Sequence, residues 1–294
     1  MVLQLPVYNI CSLATCSDNT SKNFLLVEIE YYKAILHSKL HYPHRHDFYQ
    51  ILYVTHGTGS HTIDFVTYPI NAPCVFFLSP GQVHEWQMSD DISGYLLSFN
   101  NGLFNTLFCN GFNLYNYPFF HSLNNSPLLP IDDSHLPALT ALFLEMMDEQ
   151  KRNERYRAEM LIYLLNNLLV RFSRLYYHHA NIQQSPAQLL LVREFETLVD
   201  KHYATKHHPK DYAPLLNITP NHLNEVCKNT IGKTAGELIR ERILLEAKRL
   251  LLFSNQSIAE VAYSLQFEDN AYFSRFFKKY TAQTPDSFRK TAAL

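Results

Sequence analysis

The 294-residue chain is 47% hydrophobic and 18% charged, which excludes a disordered segment and suits about two globular domains at roughly 150 residues each. A formal net charge of −2 excludes a polycation, and no apolar run approaches the roughly 18 residues of a membrane-spanning helix. The N-terminus has no basic, signal-like start, and five cysteines (Cys11, Cys16, Cys74, Cys109, Cys227) show no metal-binding spacing, so the chain reads as cytoplasmic, with reduced thiols and no membrane partner.

Residues 24–100 predict short strands. Tyr49–Val54, His61–Phe65 and Cys74–Leu78 are rich in β-branched and aromatic residues. Turn signals separate them, at His56-Gly57-Thr58-Gly59, Tyr68-Pro69 and Ser79-Pro80-Gly81. Many short strands with regular punctuation suggest a β-sandwich or barrel such as a jelly roll.

Residues 134–179 change period. Leu136, Leu139, Leu142, Phe143, Met146 and Met147 recur at helical spacing, then Leu161, Leu164, Leu165, Leu168, Leu169 and Phe172 do so after a charged break. This is a helical hairpin, expected to pack on the barrel, to form a dimer surface, or both. The polar stretch 180–186 predicts a linker.

Residues 187–294 predict an all-α module of seven helices. Its balance is 15 Lys+Arg against 12 Asp+Glu, while residues 1–185 hold 10 against 15. That asymmetry is too mild to imply nucleic acid, so the motif must carry the argument. A helix over about 187–203 comes first, and Pro209 starts the second, with Pro214 inside it to kink or shorten it. Thr219-Pro220 predicts a third helix start, an N-cap followed by proline at the first helical position. Ala235 to Phe253 form a fourth. Ser257 with Glu260 predicts a capping box for the fifth, Asp269 caps the sixth, and Thr284-Pro285 starts the seventh.

Two of these helices are built for DNA reading. In the sixth, Phe273, Phe276, Phe277 and Tyr280 fall at i, i+3, i+4 and i+7 and predict one buried stripe. The opposite face carries Asn270, Ala271, Ser274, Arg275 and Lys278. Arg pairs with guanine edges, Asn with adenine edges, and Lys and Ser with phosphates. For a lone helix the plain reading would be a solvated face; the short apolar helix before it, with Ile258, Val261, Ala262 and Leu265, favours a helix-turn-helix. The third helix is a weaker first copy, turning Leu223, Val226 and Cys227 inward and Asn221, His222, Asn224, Glu225 and Lys228 outward. The fourth, at about 1.5 Å per residue, spans roughly 28 Å. Major-groove faces on one side of DNA recur about every 34 Å, so a rigid connector of that length fits two recognition helices one turn apart.

The run Ala262-x-x-Leu265-x-Phe267-x-Asp269-x-x-Tyr272-Phe273-Ser274-Arg275-x-Phe277-Lys278-Lys279, then Thr284-Pro285 and Phe288-Arg289, resembles the signature of the AraC/XylS family. The resemblance covers about 190–291. It implies a bacterial transcription regulator that binds promoter DNA through both recognition helices and contacts RNA polymerase as an activator. It places Asn221, Asn224, Glu225 and Lys228 at DNA-facing positions of the first helix, and Asn270, Ala271, Ser274, Arg275 and Lys278 at those of the second. Gln266 and Ala282 stand where the family has glycine, which costs stability if either backbone is left-handed. Cys227 stands for the usual Phe.

Tyr42-Pro43-His44-Arg45-His46 leads into a strand, and Pro80-Gly81-Gln82-Val83-His84-Glu85-Trp86 follows later. Two histidines at i and i+2 on one strand share a face. The pair resembles the two cupin motifs, with His44, His46 and His84 at ligand positions and Gln50 in place of the usual Glu. Three readings stand: a metal site, an organic-ligand pocket lined by His44, His46, Gln50, His84 and Trp86, or structural polar residues. Trp86 is either a stacking platform for a sugar or a packing residue. Without the carboxylate, no cofactor is expected.

The expected architecture is therefore multidomain, α and β. A cupin-like ligand-binding β-barrel or jelly roll spans 1–133, a helical hairpin that would dimerise 134–179, a linker 180–186, and a DNA-binding all-α domain with two helix-turn-helix motifs 187–294. The expected function is an effector-controlled, non-enzymatic transcription regulator acting as a homodimer, with a sugar one candidate effector. Two alternatives remain: a metal-dependent cupin enzyme with a DNA-binding tail, and a constitutive DNA-binding dimer with a vestigial barrel.

Overall fold

A computed structural model of the chain describes residues 5–40, 42–106, 114, 117–120, 126–152, 154–180 and 186–291. It divides into two compact units, Pro6–Ile182 and Gln183–Leu294, the latter joined by Met1–Leu5. No helix among the described residues is long and apolar enough to cross a membrane.

The N-terminal unit begins with β1 (Val7–Tyr8), α1 (Ile10–Leu13), α2 (Asn19–Asn23), β2 (Phe24–Glu28) and α3 (Ile29–Leu40). Then follow β3 (Arg45–His46), β4 (Tyr49–His56), β5 (Thr58–Ile63), β6 (Val66–Asn71), β7 (Cys74–Leu78), β8 (His84–Met88), β9 (Ser93–Phe99) and β10 (Leu128–Pro130). The helices α4 (Leu136–Lys151) and α5 (Arg157–Ala180) close it. One sheet has the order β10-β7-β4-β9-β2, another β6-β5-β8, and β1 pairs with β3 in parallel.

The five-stranded sheet is covered on both faces, which is why β4 and β7 read as continuous apolar runs rather than as an alternation. Ile51, Tyr53, Val75, Phe77, Leu97 and Phe99 turn to the hairpin, where Leu139, Phe143, Leu161, Leu165, Leu168 and Phe172 complete one core. Leu52, Val54, Phe76, Leu78 and Leu96 turn the other way and share a second core with Ile63, Ile70 and Trp86 of the three-stranded sheet. The expected barrel is therefore two stacked sheets: among the described residues no ladder joins the edge strands β2 and β10 to β6 or β8. The exposed edge of β2 is instead met by the Gln150 side chain of α4. Its Oε1 accepts from Leu26 N at 2.7 Å and its Nε2 donates to Leu26 O at 3.0 Å, much as a neighbouring strand would.

Two local expectations change. The strand expected at His61–Phe65 ends at Ile63, because Asp64 takes a left-handed φ of 55° and turns the chain into β6. The turn is held by the Asp64 carboxylate, which accepts from Val83 N at 3.2 Å. Cys11 and Cys16, read from sequence as reduced thiols, are disulfide-bonded, since the turn of α1 brings their Cα atoms to 5.5 Å. Cys74 and Cys227 are free and buried, and Cys109 lies outside the described residues.

The C-terminal unit comprises α6 (Pro186–His202), α7 (Pro209–Tyr212), α8 (Pro220–Ile231), α9 (Ala235–Phe253), α10 (Ile258–Ser264), α11 (Asn270–Thr281) and α12 (Pro285–Thr291). Pro214 does shorten its helix: α7 gives way to a 3-10 turn over Ala213–Leu216 that ends at left-handed Asn217. The helix starts are fixed by local chemistry. Thr219 Oγ1 accepts from His222 N at 3.2 Å, and Ser257 with Glu260 forms a reciprocal capping box. The stripe of α9, including Leu238, Ile239, Ile243, Ala247 and Leu251, lies in one core with both motifs. α6 is tied to α9 by Arg242, whose Nε donates to Asp200 at 2.7 Å while its guanidinium lies 3.9 Å over the Tyr203 ring.

Candidate DNA interface and ligand-binding core

In the second motif, α10 packs against α11, and Phe273 and Phe277 are fully buried among Val261, Ala262 and Leu265. Each such phenylalanine contributes about 1.5–3 kcal/mol of burial, which fixes the roll of α11 about its axis. Phe276 is half-buried and Tyr280 is 41% exposed, so the inward stripe is narrower than the spacing predicts. Tyr280 lies instead under the Arg240 guanidinium, 5.3 Å from its ring centre. With the roll set, Asn270, Ala271, Arg275 and Lys278 are exposed and Ser274 half-buried. Asp269 caps the helix through Tyr272 N, leaving the start of α11 on the surface.

The first motif has the same logic. Leu223 and Cys227 are wholly buried and Val226 nearly so, which turns Asn221, Glu225 and Lys228 outward. Asn224 is half-buried and spends its Nδ2 on Pro220 O at 3.1 Å, within its own helix. Two exposed tyrosines are not among the outward residues read from sequence, although Tyr272 stands in the quoted signature: Tyr272 (47% exposed), on α11 itself, and Tyr263 (83% exposed), on α10. Their signal was present, since a tyrosine outside an apolar stripe on a short helix has nowhere to be buried.

In the N-terminal unit the ligand candidates are all internal. His44, His46, Gln50, His84 and Trp86 are each no more than 5% exposed. Trp86 packs edge-on to Tyr32 at 6.0 Å, inside the core between the sheets, so a molecule stacking on it would have to enter that core. Gln50 faces Ser98 across the β4–β9 register, its Nε2 donating to Ser98 Oγ at 3.3 Å while its Oε1 has no partner.

His44 and His84 exchange backbone hydrogen bonds of 3.1 and 2.9 Å, which sets their rings 4.3 Å apart. His46, on β3, brings its Nε2 to 2.6 Å from His84 Nε2. Nitrogens of His44, His46 and His84 lie within 4.8 Å of one another, so these three could hold a metal ion. A fourth ring joins them: His61 of β5 places Nε2 3.0 Å from His84 Nδ1. Burial holds His44, His46 and His84 below the ordinary imidazole pKa, and pulls His61 down to about 3, so all four are neutral near pH 7. No spacing motif shows His61, because its place depends on the β5–β8 register, which sets His61 opposite Trp86 and Ile63 opposite His84.

Comparison with known proteins bears on both regions. Residues 212–291 match a helix-turn-helix domain family, and residues 26–165 match the AraC-like ligand-binding domain family. The HTH-type transcriptional activator RhaS of Escherichia coli O81 (strain ED1a) is 24% identical over 261 residues, covering 84% of this chain and 87% of that protein. Among solved structures, the C-terminal domain of AraT, a response regulator from Geobacillus stearothermophilus, is 27% identical. It covers 37% of this chain and 88% of its own, with a TM-score of 0.34. ToxT from Vibrio cholerae is 15% identical, covering 91% of this chain and 98% of its own, with a TM-score of 0.41.

Proposed function

Because the chain belongs to the AraC family of transcription regulators, with an AraC-like ligand-binding domain and a helix-turn-helix region, we propose that it activates promoters under the control of a small molecule. The single observation that carries the DNA half is the pair of capped helices, α8 and α11, each rolled by buried side chains so that polar residues face out. On this reading Asn221, Asn224, Glu225, Lys228, Asn270, Ala271, Ser274, Arg275 and Lys278 meet promoter DNA. Activation follows what the RhaS relatives are named for, and entails contact with RNA polymerase in the cytoplasm.

The effector, a sugar being one candidate, would act in the core between the two sheets, near His44, His46, Gln50 and His84. It can shift DNA binding only by binding two states of the protein unequally. We read the unit as a binder rather than an enzyme, in line with relatives named as transcriptional activators. Domain limits follow the sequence reading, at 1–133, 134–179, 180–186 and 187–294.

The test is selection from a random duplex pool with the full chain, alone and with a panel of sugars and other metabolites. Two short enriched blocks about one helical turn apart are expected, with retention altered by one of the small molecules. No enrichment under any condition would overturn the regulator reading. Enrichment that no small molecule alters would favour a constitutive DNA-binding dimer.

A further inference from the structure

We propose that Cys11 and Cys16 form a redox modification site, cycled between disulfide and dithiol by exchange with a small thiol and its disulfide, and that this exchange sets how firmly the N-terminal strap, residues 6–16, is held on its unit. This rests on the cytoplasmic placement proposed above: thiols there are kept reduced, so a disulfide in that compartment is transient, catalytic or redox-sensing.

The described cysteines fall into two classes. Cys74 and Cys227 are buried, and burial pushes their thiols up to about 11 and about 12, so neither offers a thiolate near pH 7. Cys11 is exposed and Cys16 half-buried, five residues apart in the chain, so a dissolved thiol reaches Cys11 while the unit stays folded. Its thiolate attacks Cys11 Sγ and forms a mixed disulfide. The bond to Cys16 breaks, and its electron pair leaves on Cys16 Sγ, which takes a proton from water. A second small thiol attacks the outer sulfur of the mixed disulfide and frees Cys11. Two small thiols are thereby oxidised to one disulfide as the protein bond is reduced to two thiols, and a small disulfide runs the same steps backwards.

The bond lies where the chain has few other fastenings. β1 has two residues, too few to hold by themselves, and terminal segments stay ordered only where they are tied down. Arg45 N donates to Pro6 O at 3.2 Å, and Asp47 N to Tyr8 O at 3.1 Å. Next in the chain, α1 buries Ile10 against Leu25 and Phe48. The ring closed by Cys11 and Cys16 spans the rest of α1. In the chain-entropy account, closing so short a loop favours the ordered strap roughly 30–40-fold. The strap lies over the histidine cluster: Tyr8 stands opposite His46 in the β1–β3 register, and its ring is edge-on to His44 at 5.5 Å. Reduction therefore loosens the segment that packs on His44.

The experiment holds the full chain in glutathione and glutathione disulfide at several ratios. A light alkylating reagent marks the thiols that react in the native state, and a heavy one those that react after denaturation. Peptide mass spectrometry reads each cysteine separately. Cys11 and Cys16 should pass together between disulfide and thiol while the protein stays folded, and Cys74 and Cys227 should take only the heavy reagent. Amide hydrogen exchange is then followed on both forms. The amides of Arg45 and Asp47 should exchange roughly tenfold faster or more in the reduced chain, while those of the β4–β9 ladder keep one rate. The double variant Cys11→Ser, Cys16→Ser should exchange as the reduced chain does, whatever the glutathione ratio.

A bond that no glutathione ratio opens before the protein unfolds would overturn the proposal, and so would one that glutathione disulfide never re-forms. Equal protection of Arg45 and Asp47 in the two forms would also overturn it, since the disulfide would then tie nothing down. Should the double variant not fold, the two forms of the wild type decide. Duplex selection on the same samples keeps the two readings apart: a chain that selects DNA while its disulfide never cycles sinks only this one, and a pair that cycles in a chain selecting no DNA sinks only the regulator reading.

Discussion

On the proposed reading, α11 sets its buried Phe273 and Phe277 against outward residues that would read DNA, so single substitutions there should have separable effects. Arg275→Ala should cost about 1–3 kcal/mol at one base position and relax preference there. Lys278→Ala should weaken all sequences alike and lower the slope of log affinity against log salt by about one. Binding titrations on selected and scrambled duplexes at several salt concentrations check both, and unchanged base preference in Arg275→Ala would remove it as a reader. A different single-residue effect sits at the helix end. Ala282, the C-cap of α11, has φ 61°, and Gln266 between α10 and α11 has φ 52°. A left-handed backbone costs a non-glycine residue about 1–2 kcal/mol. Gln266 N donates to Tyr263 O at 2.9 Å, so Ala282 is the cleaner test: Ala282→Gly should stabilise the C-terminal unit by about 1 kcal/mol in denaturant unfolding. A loss of stability would show that the φ is relieved in solution. These two positions were legible in the sequence because the turn chemistry is local. His61 was not, because its meaning arises only once β5 and β8 are in register.

Helix α2 shows how an element is tied to the rest of its unit by charge. Asp18 caps it, accepting from Ser21 N at 2.8 Å, and its other oxygen pairs with Arg157 at the start of α5. Its pKa falls from 3.8 to about 2, chiefly through the backbone hydrogen bond from Ser21 and then through the Arg157 guanidinium. A carboxylate depressed on folding binds fewer protons in the native state, so its contribution is complete above the unfolded pKa and fades as pH falls through the folded one. The stability gap between wild type and Asp18→Asn should be constant above about pH 5 and shrink between about pH 4 and 2. Chemical unfolding across that range reads it, and a gap that does not narrow would mean that the carboxylate's charge plays no part. Among elements, those defined by caps and proline were readable in advance: Thr219-Pro220, the Ser257–Glu260 box and the break at Pro214. What could not be read was closure of the sheets, because whether edge strands meet depends on long-range pairing, and here Gln150 covers the β2 edge without another strand.

Assembly is the property of the whole molecule that the apolar hairpin raises, and the structure changes which residues should test it. The sequence marks Leu161, Leu165 and Leu168 as an apolar stripe, but a stripe does not say whether it faces the chain's own sheet or another chain. All three are wholly buried against the five-stranded sheet, so polar substitutions there should unfold the N-terminal unit rather than yield a folded monomer. The outer side of α5 exposes Met160 (47%), Tyr163 (59%) and Val170 (37%), spaced three and seven residues apart on one helical face. If the regulator is a homodimer through this hairpin, that face is the part of α5 free to meet a second copy. Tyr163→Asp should then give a folded monomer by sedimentation, with an unchanged melting curve for its sheet. Loss of the second half-site should follow as a weaker grip on a two-block duplex. Leu165→Asp should instead lose the cooperative transition altogether. A Tyr163→Asp protein that stays folded and dimeric would move the interface off α5, and a wild type that sediments as a monomer would leave one chain to engage both blocks through α8 and α11 alone.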